Sequence, residues 1–474
     1  IDDTVELARP NERTGVPQAS EMLVESAALV CPGQQRVGVP GMRDVPGAVQ
    51  VAASGAPVDA LTGLGAEAAP SGAVSLVEPD GRVQASVARR FESVSAKATG
   101  VGFMLATGEG SLAPGLAAAQ SWWHTGDDDR GLAVTACQEP ESDVWLLGGG
   151  AGPSRTERVV VVNPGANAVS VRVEVYGAEG PVPDSDRAAL SVPPRSRVSL
   201  SLDALAPDEL RPAVHVVATG GVVTAVLNDA WIDGATARGV EDATGSAAPA
   251  RDLLVPAVDA APGAPEATVL RILNPGAVEA LVRATVLTAD GARQPAELRA
   301  VRVGAGATVD VPLTLAGGGA ALRLTSDQPV TAAVLVDRRQ GGEGVEEALR
   351  EGDFGWAPAL PSIDRMGGVV LPAQVPQGAK RTLHLAAGTA GGDVTVVLGA
   401  GQTQRRVTST LEPLTSIAVP LGDADWVWVS TASRDIRAAV TVELIHQRAP
   451  YYSIVPLRSA PTTETSVPVR QVAR

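Results

Sequence analysis

Lysine is almost missing from this chain: Lys97 and Lys380 are the only two in 474 residues, and arginine carries the rest of the positive charge. Basic residues number 38 against 53 acidic ones, a formal charge of -15. The acidic excess leaves no basic surplus to neutralise phosphates, which argues against a nucleic-acid partner. Aromatics make up 3% of the chain, so its cores must be built from Val, Leu and Ala. No run of eighteen apolar residues occurs, so no segment reads as a membrane-spanning helix.

Cysteine is scarce too. Cys31 and Cys137 form no CxxC pair, and no histidine lies near Cys31. That spacing suits neither redox nor zinc chemistry. It fits one structural disulfide in an exported protein, stabilising by about 4–5 kcal/mol on the chain-entropy model. Recognisable catalytic motifs are also lacking. There is no G-x-S-x-G elbow, H-E-x-x-H, Walker A or Rossmann glycine fingerprint. An enzyme is therefore not expected, and no cofactor is implied.

What is present is repetition. "VVVVNPGANAVSVRVEVYGAEG" begins at Val159, and "TVLRILNPGAVEALVRATVLTADG" follows about 110 residues later. A third echo, "RTLHLAAGTAGGDVTVVLGAGQ", has lost its Asn-Pro. Each unit then shows a middle strand, a strand–polar turn–strand segment, and a closing apolar-Pro strand: "RDLLVPAV", "FGWAPALP" or "YYSIVPLR". A period near 110 suits a complete β-sandwich. Val171, Val173 and Val175 alternate with Arg172 and Glu174, the period of a strand. Asn-Pro-Gly supplies the turn, with Pro164 fixing φ and Gly165 expected at positive φ in a type II turn.

The fold expected is all-β: three tandem immunoglobulin-like sandwiches over residues 153–258, 259–364 and 365–458. A divergent β domain with the disulfide precedes them over 22–152, after a stalk at 1–21; a tail follows at 459–474. Helix is expected in "PGLAAAQSWWH" and "GEGVEEALREGD", and one turn in "LSLDALAPDELRP". Short linkers predict a fairly rigid rod.

A few residues stand out as candidates. Trp122 and Trp123 in "SWWHTGDDDRG", and Trp426 and Trp428 in "DWVWVST", are either core plugs or a platform for a glycan or a partner. Trp231, Trp356, Tyr451 and Tyr452 are expected to plug sandwich ends. His124 with Asp127, Asp128 and Asp129 is a weak oxygen-rich metal candidate, without the EF-hand alternation or its closing Glu.

"CPG" at Cys31–Gly33, "C-x-x-P-x-x-x-x-W" at Cys137–Trp145 with the glycines after it, and the L-x-NPG hairpins together resemble an actinobacterial exported family of unknown function. The resemblance covers nearly the whole chain. It implies an extracytoplasmic protein, either secreted or tethered by an N-terminal transmembrane helix that lies outside this numbering, with genes near a large membrane glycosyltransferase. It implies no catalytic residues. The reading that follows is a non-catalytic extracytoplasmic scaffold or accessory subunit of the cell envelope, docked on a polytopic membrane glycosyltransferase. The rivals are a carbohydrate-binding module for envelope polysaccharide and a hydrolase on a β scaffold.

Overall fold

The structure is a computed structural model that describes residues 20–34, 48–61, 71–90, 92–98, 102–126, 130–150, 155–183, 190–234, 236–259, 268–315, 319–340 and 350–466. Alternation of β-branched and polar residues produces strands throughout. Among the described residues helix is confined to single turns at Val58–Leu61, Leu202–Leu205 and Ala296–Leu298. The turn expected in "LSLDALAPDELRP" is the second of these.

The strands assemble into four sandwiches, spanning Ser26–Ala136, Asp143–Ala243, Ala250–Pro358 and Met366–Leu457. All four share one topology. Counted in chain order, with the broken fourth strand of the second and third sandwiches (Gly180–Pro181 and Leu190–Val192; Gly291–Arg293 and Val301–Val303) taken as one, strands one, six, three and four make one antiparallel sheet, and strands five, two, seven and eight make the other. These are immunoglobulin-like proportions, here split four and four. The N-terminal domain, divergent in sequence, has the same strand order as the repeats. In the third sandwich one strand, Gly319–Arg339, fills positions six and seven by crossing from sheet to sheet. The polar turn expected inside it is absent.

Two strands sit in a different unit from the one expected. Asp143–Leu147 pairs with Ala213–Thr219, so it opens the second sandwich rather than closing the first. "RDLLVPAV" lies in Ala250–Asp259, which pairs with Gly319–Arg339 and opens the third sandwich. "PGLAAAQSWWH" is not a helix: Ala117–His124 is a strand paired on both edges, with Val49–Ser54 and Gly131–Ala136. The other expected helix falls largely on 341–349, outside the described residues.

The Asn-Pro-Gly hairpins are built differently from expectation. Neither Gly165 nor Gly276 has positive φ. The asparagine carries the turn instead. Asn163 Oδ1 accepts from Gly165 N at 2.9 Å, while Nδ2 donates to the carbonyls of Asn167, Val192 and Pro193 at 2.8–3.1 Å. Asn274 repeats the arrangement with Gly276, Val278, Val303 and Gly304. Both asparagines are fully buried. In the fourth sandwich, where Asn has become Ala386, Asp435 from across the sheet accepts from Ala390 N at 2.6 Å.

The sandwiches do not form a rod. Each core is completed by side chains of the next domain, and the series closes on itself. Ala230 and Val240 of the second sandwich sit in the first core. Leu273, Ala333, Phe354 and Trp356 of the third sit in the second. Ala439, Tyr452 and Ile454 of the fourth sit in the third. Ala119, Leu132 and Val134 of the first sit in the fourth. This is a head-to-tail interface repeated until the rotation closes, as in a cyclic oligomer, but within one chain. Outward-facing apolar residues on the last strands drive it, since a rod would leave them in water. The two ends of the described chain also meet: Ser20–Leu23 pairs antiparallel with Thr463–Ser466.

Candidate functional site

The ring brings the four last strands, Gly131–Ala136, Thr236–Ala243, Gly352–Pro358 and Ala449–Leu457, around a common axis. They do not pair as a sheet, so their inward N–H groups need other acceptors. One side chain supplies them. Asp353 Oδ2 accepts from Leu132 N at 2.9 Å and Tyr452 N at 3.1 Å. Its Oδ1 accepts from Phe354 N at 3.0 Å and Val240 N at 3.3 Å. Each sandwich thus gives one backbone donor to a single carboxyl. A carboxylate offers about four acceptor positions, and all are used.

Close approach is required for this. Gly239 has a φ of +117°, and a Cβ there would collide with Asp353. A Cβ on Gly131 would lie 2.8 Å from Val240 N. Arg130 closes one end of the axis, donating to Gly352 O at 2.6 Å and Pro450 O at 2.9 Å, with its guanidinium over the Tyr451 ring. One step along the axis, Ser453 Oγ accepts from Val134 N at 2.9 Å and donates to Glu241 Oε1 at 3.3 Å. Burial pushes the carboxyls of Asp353 and Glu241 well above their usual range, and for Glu241 the charges of Asp242 and Asp353 add to it. For Asp353 the backbone donors and Arg130 act in the opposite sense.

The tryptophans serve the same closure. Trp426 and Trp428 are 3% and 1% exposed, packed among Ala52, Ala117 and Met366 between the fourth and first sandwiches. Trp428 Nε1 donates to Gly115 O at 2.8 Å. Trp122 is buried in the first core. Trp123 is half-buried, edge-on to His446 and Tyr451. Trp122, Trp426 and Trp428 are thus buried in contacts within the chain, and Trp123 is the half-buried member of the two pairs. Trp356 and Trp231 lie between the second and third sandwiches. Trp356 Nε1 donates to Asp229 Oδ2 at 2.9 Å, and Arg155, bonded twice to Asp229, stacks over Trp231.

Of the weak metal candidates, Asp127, Asp128 and Asp129 lie outside the described residues. His124 stacks on Trp122 and accepts from Gly126 N at 3.2 Å. Among the described residues no group of three or more His, Cys, Asp or Glu is placed to hold a metal ion. Cys31 and Cys137 are joined in a disulfide.

Two features escaped the sequence reading. On the second sandwich His215 stacks on Trp145 at 3.7 Å between ring centroids. Its nitrogens lie 3.1 Å from Glu174 Oε2 and 3.0 Å from Asp143 Oδ2. Tyr176 bonds the same Glu174, and burial, then that charge, push its phenol up to about 12. The cluster clasps the edge strand Asp143–Leu147 to its sheet. On the fourth sandwich an open groove of about 460 Å³ is lined by Asp364, Arg365, Asp393, Ser430, Ser433 and Arg434, without an aromatic ring.

No curated protein matches the chain. A solved structure described as a tetra-tandem repeat in the extending region of a large adhesion protein aligns at 10% identity, over 83% of this chain and 91% of that one, with a TM-score of 0.11. That score carries no argument about function. A family model matches residues 92–422, from the first sandwich into the fourth, and the chain belongs to that family, DUF5719, a family of unknown function.

Proposed function

We propose that this protein is a non-catalytic, extracytoplasmic scaffold or interaction subunit of the cell envelope. The observation that supports this best is where its unusual residues go. Asp353, Glu241, Arg130, Arg155 and the buried tryptophans are spent on contacts within and between the four sandwiches. The disulfide suits an oxidising compartment. Among the described residues no helix is long and apolar enough to cross a membrane. The finer part of the proposal is docking on a polytopic membrane glycosyltransferase. A closed ring offers four outward sheet faces in fixed relation, which suits a rigid platform better than a flexible tether.

The test is affinity purification of the tagged chain from gently solubilised native membranes after brief crosslinking. The proposal expects a stoichiometric multi-spanning partner. Recovery of free monomer alone, with no crosslinked species, contradicts it.

A further inference from the structure

The fourth strand of each sandwich lies at one edge of its sheet. Three of the four are blunted, as exposed edges normally are. In the first sandwich the strand is five residues long, Val83–Val87, and its ladder carries a register shift. In the second it is broken into Gly180–Pro181 and Leu190–Val192, and in the third into Gly291–Arg293 and Val301–Val303. In the fourth sandwich it is Thr403–Leu411, nine residues paired without a shift to Gly392–Ala400.

The hairpin fixes which backbone groups of this strand face away. Its turn is the two residues Gly401 and Gln402, with Gly401 at a φ of +53°, as a type II′ turn requires. Ala400 and Thr403 are therefore a hydrogen-bonded pair, and the pairing alternates from there. Thr403, Arg405, Val407, Ser409 and Leu411 direct their N–H and C=O groups to the neighbouring strand. Gln404, Arg406, Thr408 and Thr410 direct theirs outward. The carbonyl of Gly399, opposite Gln404, agrees with this phase, since it turns away to accept from Asp425 N at 2.8 Å. Among the described residues no other backbone bonds the outward groups. They form an unpaired ladder about 20 Å long.

Charge decides what kind of strand fits there. In a chain of formal charge -15, this strand holds Arg405 and Arg406 and no acidic residue. Successive side chains leave a strand on opposite faces, so one arginine flanks each side of the edge. Both are exposed, and neither has an ion pair among the described residues; Arg405 reaches the Pro420 carbonyl at 3.5 Å. Val407 and Leu411 anchor the strand in the core, so the edge is already ordered before anything binds. A second copy of the chain would set its own two arginines against these. An extended segment rich in Asp or Glu would meet them with opposite charge.

We propose that Thr403–Leu411 is a docking edge for an extended acidic segment of a partner protein, added as a fifth strand to its sheet. Backbone bonds to Gln404, Arg406, Thr408 and Thr410 hold the segment, and Arg405 and Arg406 select its charge. The inference does not depend on the envelope-scaffold reading, and either can fail without the other.

The test titrates the full chain with an acetylated, amidated nonapeptide of alternating glutamate and valine; the arginine–valine nonapeptide is the charge control. Calorimetry follows binding, and hydrogen exchange locates it. Saturable binding is expected for the glutamate peptide alone, with slowed exchange at Gln404, Arg406, Thr408 and Thr410. Thr408→Pro removes an outward N–H and leaves the inner ladder intact, so it should abolish binding while circular dichroism stays unchanged. Arg406→Glu should weaken binding about tenfold, replacing an attraction by a repulsion of like size. It carries the test should the proline variant fold poorly. Absence of saturable binding by the glutamate peptide, or binding indifferent to Arg406→Glu, overturns the proposal. Binding that a folded Thr408→Pro retains is charge attraction without an added strand, and overturns it too. Sedimentation of the chain alone supplies the last outcome: a dimer that Thr408→Pro dissolves points to a second copy and overturns the acidic partner.

Discussion

The backbone N–H of Leu132 donates at 2.9 Å to Oδ2 of Asp353, a residue 221 positions away and two sandwiches along the chain. Val240 and Tyr452 donate to the same carboxyl from the remaining two sandwiches. Replacing Asp353 by Asn keeps the shape but turns one acceptor into an NH₂ facing two N–H donors. A loss of about 4 kcal/mol is expected, since each orphaned buried donor costs about 1–3 kcal/mol. Calorimetry should then show the single transition splitting into separate domain transitions. One unchanged transition in Asp353→Asn would remove the residue from its central role.

Gly239→Ala tests the same contact from the other side. Its φ of +117° and the blocked Cβ position predict a loss comparable to that of Asp353→Asn. Combining the two substitutions should cost much less than their sum, because both break one contact. Chemical denaturation of the three variants measures this.

Asn163→Ala and Asn274→Ala should cost about the same as each other, about 3 kcal/mol, because the two side chains make matching sets of bonds. Asn163→Asp keeps the bond from Gly165 but loses the three donated ones, so it should rescue little. Equilibrium unfolding in urea distinguishes these cases.

Reducing the disulfide should cost less than the roughly 4–5 kcal/mol of the chain-entropy model. Val30 and Gln138 already hold the ends together through paired backbone bonds of 2.8 and 3.0 Å. About 2 kcal/mol is expected, with the first sandwich losing hydrogen-exchange protection first.

Acidification should stabilise the protein. Burial and the nearby Asp229 push Glu157 up to about 8, and burial raises Glu241 as well. Their folded pKa values exceed the unfolded ones, so the folded state holds extra protons between about pH 4.5 and about pH 8. Stability contributed by these groups is therefore fully present at the acid end and is lost as pH rises through that window. The melting temperature should be several degrees higher near pH 5.5 than near pH 8.5. Glu157→Gln should flatten the slope.

The strands and the duplication were legible because they are written in side chains: alternating valines and a repeated Asn-Pro-Gly. The work of that tripeptide was assigned to the wrong residue, since Gly165 sits at ordinary φ while Asn163 makes the bonds. The alanines of "PGLAAAQSWWH" carry high helix propensity. They are small because Ala117 packs beside Trp428 at a domain interface, which no local window records. The ring itself was invisible. Its axis is made by backbone N–H groups of Leu132, Val240, Phe354 and Tyr452, four residue types with no shared pattern, gathered by one aspartate. Backbone donors leave no mark in a sequence.

Small-angle X-ray scattering of the monomer tests the closed ring most directly. A compact chain of this length has a radius of gyration of about 23 Å. Four end-to-end sandwiches, each about 13 Å in radius of gyration, would give roughly 40 Å with the distance distribution of a rod. The ring predicts the compact value with a single-peaked distribution; the rod-like result would contradict it.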